Sequence, residues 1–207
     1  NLKWPNPGEE KVLDHILANL RKYPDKAVFV NIPGPFTILH GIRLMDNLFF
    51  DVYDNPDELH SIIKKIMDIQ NEVIKKAAAL PITAVYLQDD LASSGGLLFS
   101  PHMIEEFILD YFKEGIALAK KAMKHVVFHS DGQVTDILDK LADAGIDAVN
   151  PLQPEFNDFQ SFKAKYNGRL ETLGNGGGLI MSSHDIPAHC PQENVEAMVA
   201  CIKNCRY

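Results

Sequence analysis

Four short polar clusters hold most of the residues in this chain that could do chemistry: Gln88-Asp89-Asp90, His129-Ser130-Asp131-Gly132, Asn150-Pro151 and Ser182-Ser183-His184-Asp185. Histidine and aspartate can move protons or hold a polar ligand. Each cluster directly follows a short apolar run. Polar loops are ordinary anywhere, so one such cluster would mean little; four at equivalent places point to a shared site. Asp90 is expected there as a general base or substrate ligand, while Asp89 could equally cap the turn or helix that follows it. Other reactive residue types read as structural. His102 and His125 suit a helix surface or a core, His189-Cys190 lies in a proline-bounded loop, and Cys201 and Cys205 sit one helical turn apart as reduced thiols.

The elements that must position these clusters alternate between strand and helix. Strand-like runs fall at Ala27–Ile32, Thr83–Leu87, His125–Phe128, Asp147–Val149 and Gly178–Met181, with a weaker one at Arg169–Leu173. Asn55-Pro56 followed by Asp57 and Glu58 opens a helix, with proline in the first turn and acids at the positive end of the dipole. Ser100-Pro101 opens another. Further helices are expected near Pro7–Lys22, Phe36–Val52, Val134–Ala144, Phe159–Tyr166 and Asn194–Lys203. Parallel strands follow from this alternation, because each crossover needs a dozen or more residues to return. Gly174-Asn175-Gly176-Gly177-Gly178 precedes a strand rather than bridging strand to helix, so it does not read as a phosphate cradle. In a barrel, the four polar clusters would all lie at the carboxyl-terminal mouth.

Composition narrows the function classes. The 207 residues suit one sizeable core and are expected to form a single domain, 1–207. A net charge of −8 with no basic cluster argues against nucleic acid. No apolar run reaches the ~20 residues of a membrane span, and the first residues lack a signal-peptide pattern. A cytoplasmic protein with no membrane partner is the expectation.

Across nearly its whole length the chain resembles the uroporphyrinogen decarboxylase superfamily, which includes uroporphyrinogen decarboxylases and related corrinoid-linked methyltransferases. The resemblance rests on Gly34-Pro35-Phe36-Thr37, on Asp89-Asp90-Leu91 leading through Gly95-Gly96-Leu97-Leu98-Phe99-Ser100-Pro101, and on Phe128-His129-Ser130-Asp131-Gly132. Gly145-Ile146-Asp147, Asn150-Pro151-Leu152-Gln153-Pro154, Ser183-His184-Asp185-Ile186 and Pro191-Gln192-Glu193-Asn194 continue it in order. It implies an α/β fold of the (β/α)₈ TIM-barrel type. Against that pattern the barrel is incomplete: the family has a longer amino-terminal part with a first strand, and a further strand–helix unit between segments that here join at Glu171 and Thr172. Those two residues are expected to flank a gap, since an unpaired barrel edge would leave backbone groups unsatisfied.

The resemblance offers two chemistries. The methyltransferases hold zinc with a His-x-Cys and a later Cys, and exchange a methyl group with a corrinoid carried by a partner protein. The zinc positions here carry His129, Asp131 and His184, which can supply nitrogen and oxygen ligands with one position open. Residues i and i+2 of an extended segment share a side, so His129 and Asp131 can face the mouth together. The decarboxylases act on tetrapyrrole acetate side chains without a cofactor, and arginines bind the many carboxylates of that substrate. Asp89, Asp90 and Asp131 would repel it. Methyl transfer or demethylation of a small substrate is therefore preferred. Asp90, His129, Asp131 and His184 are expected as catalytic residues, and Gln88, Asp89 and Asn150 as substrate contacts. Tetrapyrrole decarboxylation is the alternative, and a non-catalytic binding barrel the second.

Overall fold

The computed structural model describes residues 3–166, Leu170 and residues 190–204. The strand candidates Arg169–Leu173 and Gly178–Met181, the junction of Glu171 with Thr172, and the cluster containing His184 lie outside the described residues. The chain divides into two compact units, Asn1–Leu170 and Glu171–Tyr207.

In the first unit, a 3₁₀ turn leads into α1 (Asp14–Lys22), followed by β1 (Phe29–Pro33), α2 (Pro35–Arg43), α3 (Met45–Asp54) and α4 (Pro56–Ala78). Then come β2 (Ala84–Gln88), a small hairpin of β3 (Ala92–Ser93) and β4 (Gly96–Leu97), and a long helical stretch. That stretch runs from α5 (Pro101–Ile104) through a π-helical turn at Glu105–Leu109 into α6 (Asp110–Lys121). β5 (His125–His129), α7 (Leu138–Ala144), β6 (Ala148–Asn150) and α8 (Phe159–Tyr166) complete it. In the second unit, α9 spans Gln192–Asn204.

β1, β2, β5 and β6 form one parallel sheet in the order β1-β2-β5-β6, as the alternation of elements predicts. The register aligns Ile32, Leu87, Phe128 and Val149 in one row, and Val30, Val85 and Val126 in another. These rows are buried beneath α4 and α6, with Phe128 meeting Phe112 edge to face at 6.2 Å. Parallel sheets are ordinarily covered on both faces; among the described residues only one face of this sheet is fully packed. The opposite face carries Asn31, Tyr86, Gln88, His129 and Asn150. Asn31 is exposed, and Tyr86, Gln88 and Asn150 are half-buried. These polar side chains sit among Phe29, Ala84, Val127 and Ala148 and give that face a partly wet surface.

Local chemistry explains the helix boundaries. Ser100 accepts a hydrogen bond from the Met103 amide at 3.3 Å and so caps α5. Pro56 opens α4, as predicted, but Asn55 does not cap it: its side-chain amide donates to Asp51 at 3.0 Å. The single helix expected over Phe36–Val52 is broken at Leu44, whose φ of 67° is left-handed. The Asn47 amide takes the freed Arg43 carbonyl at 3.0 Å, and the Arg43 guanidinium forms a two-pronged pair with Asp51 at 2.6 and 2.9 Å. Those two contacts offset the strain of the break.

Candidate functional site

The site is assembled on the carboxyl ends of three adjacent strands. Gln88, His129 and Asn150 are register partners on the wet face of the sheet, at the last residues of β2, β5 and β6. Asp90 follows β2 by two residues and Asp131 follows β5 by two. Asp90, His129 and Asp131 each present a ligand-type atom, all within 4.8 Å of one another. His129 Nε2 lies 3.4 Å from Asp90 Oδ1, and the Asp131 amide donates to that same oxygen at 3.1 Å. The His129 side chain is 9% exposed and the Asp90 side chain 48%. One partner is therefore fixed in the wall, while the other faces solvent. Three of the four expected catalytic residues are thus brought together, and His184 falls outside the described residues.

Beneath His129 lies a residue missed in the sequence. The Tyr86 hydroxyl is 2.8 Å from His129 Nδ1 and donates to Asn150 Oδ1 at 2.6 Å. Nδ1 is also 3.3 Å from Asn150 Oδ1. Burial, with the carboxylates of Asp131 and Asp90 adding to it, pushes the Tyr86 phenol up to about 12. It stays protonated at neutral pH. Parity was the available signal: Tyr86 shares a face with Gln88, two residues on, so it was not simply part of an apolar strand. Asn31 shows the same pattern, and its amide donates to Gln88 Oε1 at 2.8 Å.

Asp89 does something other than the substrate contact expected for it. It has no exposed surface, and its carboxylate accepts from the Phe36 amide at 3.2 Å and the Thr37 amide at 2.6 Å. It therefore serves the first turn of α2, the helix after β1, and not a helix of its own. Gly34 is required for this: a Cβ there would lie 2.4 Å from the Asp89 carboxyl carbon. Burial pushes the Asp89 carboxyl up to about 7, against the pull of the Thr37 and Phe36 hydrogen bonds.

The loop holding Asp131 is itself fastened. Ser130 Oγ accepts from the Leu91 amide at 3.0 Å, and the Gly132 amide donates to Gln153 at 2.6 Å. Buried Asn157 accepts from the Val134 amide at 3.0 Å and donates to the Gly132 carbonyl at 2.9 Å. Gly132 has φ 86°, and a Cβ there would meet the Ser93 carbonyl oxygen at 2.5 Å. A small apolar cavity lies elsewhere, lined by residues including Phe36, Leu48, Ile63, Phe99 and Phe107. None of Asp90, His129 or Asp131 borders it, so it is a packing gap among helices rather than part of this site.

The model of the family "Uroporphyrinogen decarboxylase (URO-D)" matches residues 2–175. The chain belongs to the uroporphyrinogen decarboxylase family. No curated protein matches it. Among solved structures, a methyltransferase from Methanosarcina mazei is similar at 21% identity with a TM-score of 0.51. The match covers 67% of this chain and 40% of that one, so the chain spans less than half of that structure's length. That likeness establishes the α/β fold. Asp90, His129 and Asp131 lie at the carboxyl ends of the parallel strands of that fold. Among the described residues, no helix is long and apolar enough to cross a membrane.

Proposed function

We propose that this chain is an enzyme of the uroporphyrinogen decarboxylase superfamily that transfers a methyl group between a small substrate and a corrinoid carried by a partner protein. The observation that carries the proposal is the cluster of Asp90, His129 and Asp131, one nitrogen and two carboxylate donors within 4.8 Å. Such a set fits a divalent cation such as zinc. A cation held there would act as a Lewis acid that keeps an acceptor thiol deprotonated. The chain's own residues do the rest. His129 is fixed in the wall by Tyr86 and Asn150, the acceptor's proton can leave to the solvent that reaches half-exposed Asp90, and Gln88 at the same rim can orient the substrate. The same proposal makes the parallel sheet of the first unit part of a (β/α)₈-type barrel in a cytoplasmic protein.

Decarboxylation of a tetrapyrrole is the weaker alternative, because its carboxylates need arginines. The sequence has four: Arg21, Arg43, Arg169 and Arg206. Of the two within the described residues, Arg21 lies on α1 and Arg43 is engaged by Asp51. The test is demethylation of methylcob(III)alamin by a small thiol, followed by absorbance. The chain should accelerate it, and His129→Ala should reduce the rate by about 10²-fold or more with an unchanged circular dichroism spectrum. Decarboxylation of uroporphyrinogen without methyl transfer would overturn the proposal.

A further inference from the structure

Asparagine is disfavoured inside a strand, yet Asn31 stands in the middle of β1 and is exposed. Its amide donates to Gln88 Oε1 at 2.8 Å, reaching from β1 to the last residue of β2. Gln88 is itself anchored through its backbone: its carbonyl accepts from the Gly34 amide at 2.7 Å and from the Thr37 hydroxyl at 3.5 Å. The side-chain bond uses one donor and one acceptor of two carboxamides. Among the described residues the pair makes no other side-chain hydrogen bond, so the Gln88 NH₂ group and the Asn31 carbonyl oxygen are left over. Turning both amides over exchanges the two ends and still leaves one NH₂ group and one oxygen. Gln88 is also the register partner of His129, and neighbouring strands lie about 4.8 Å apart, so the pair borders the cluster of Asp90, His129 and Asp131.

We infer that Asn31 and Gln88 form a substrate-recognition pair, which takes an uncharged group that both accepts and donates a hydrogen bond, such as a carboxamide or a hydroxyl. The inference deepens the methyl-transfer reading and rests on it for naming the bound molecule as the methyl-bearing substrate. The charge of the surroundings sets the class. The segments that leave the strands on this side, residues 34–37, 89–100, 130–134 and 151–158, contain no lysine or arginine. They hold Asp89, Asp90, Asp131, Glu155 and Asp158 instead. A carboxylate on the substrate would face Asp90 and Asp131 with no cationic side chain to offset them. A purely cationic group would be drawn to those acids but would leave both ends of the amide pair unanswered. A neutral group with one donor and one acceptor satisfies the two ends and meets no repulsion. Asn31 then contacts the substrate at one end and holds Gln88 in place for the other.

The experiment is a ¹H–¹⁵N titration of the full chain, freed of metal with a chelator and read at the side-chain amide signals of Asn31 and Gln88. Those signals are identified by their loss in Asn31→Val and Gln88→Met. Acetamide, acetate and tetramethylammonium are the three probes. Acetamide should shift both signals saturably, while acetate, its charged isostere, and the cation should bind at least about tenfold more weakly. Asn31→Val, which suits a strand, should weaken acetamide binding by about fivefold while the melting temperature holds. It should leave tetramethylammonium binding unchanged, a loss of preference that a merely structural role would not produce. If Asn31→Val fails to fold, Gln88→Met reads out the same point. Acetate or tetramethylammonium binding as tightly as acetamide would overturn the inference, and so would acetamide shifts that bypass both side chains. Acetamide bound at the pair by a chain that transfers no methyl group supports the pair and rejects the methyl-transfer reading. Methyl transfer by a chain whose pair ignores acetamide rejects the pair alone.

Discussion

A carboxylate with no exposed surface must be held by something other than water, and Asp89 is held by two amides at the start of α2. Its neighbour Asp90 stands half in solvent beside His129. Sequence shows two adjacent acids and cannot separate them, because successive residues leaving a strand point to opposite sides and the direction of the exit is set by tertiary packing. His129 and Asp131 were legible because they follow an apolar run at a spacing of two. Tyr86 and Asn31 were not, since each sits inside such a run and only the parity of the sheet reveals which way it faces. The burial of Asp89 has a measurable consequence. Its carboxyl, ordinarily near 3.8, is pushed up to about 7 in the folded chain, so the fold holds that proton more tightly than the unfolded chain does. The contribution is fully present below about 3.8 and is lost as pH rises through about 7. Urea unfolding should therefore show stability falling between about pH 4 and 7, by up to roughly 4 kcal/mol. Asp89→Asn should flatten that slope whatever it does to stability at any single pH. An identical slope in the variant would assign the pH dependence to other groups.

At the scale of elements, the site depends on turns that only particular residues can make. Gly132 combines a left-handed φ with a carbonyl oxygen where its Cβ would go. Gly132→Ala should cost at least about 2 kcal/mol and displace Asp131 one residue away. Thermal unfolding measures the first effect, and weakened Zn²⁺ binding the second. A variant as stable as the wild type would mean that the loop relaxes freely. Ser100 is a simpler case: removing its cap with Ser100→Ala should cost about 1 kcal/mol without touching the site. Activity unchanged at temperatures well below melting would confirm that separation. The starts of α4 and α5 were readable because proline, acids and serine act locally. The break at Leu44 and the π-helical turn at Glu105–Leu109 were not readable. The first is held by Asn47 and Asp51 acting on Arg43, and the second buries Phe107, Ile108 and Leu109 in succession. Both are choices made by tertiary contacts over an otherwise ordinary helical pattern.

At the scale of the whole molecule, alternation of strand and helix was enough to anticipate four adjacent parallel strands in chain order. It could not anticipate that one face of them would be partly wet, because hydropathy averaged over a short strand hides single polar residues such as Asn31, Tyr86 and Gln88. Helices cover Ile32, Leu87, Phe128 and Val149, while the other side gathers Gln88, His129 and Asn150 at a single edge. Under the proposed function, the two carboxylates beside a buried histidine would receive a cation rather than a polyanionic substrate. The most direct measurement is a calorimetric titration of Zn²⁺ into the full chain, run alongside His129→Gln and Asp90→Asn. The wild type should bind one ion per chain, with His129→Gln losing that binding and Asp90→Asn weakening it by at least about tenfold while both stay folded. Absence of stoichiometric binding in the wild type, or equal affinity in all three proteins, would contradict the assignment of Asp90, His129 and Asp131 as the metal centre.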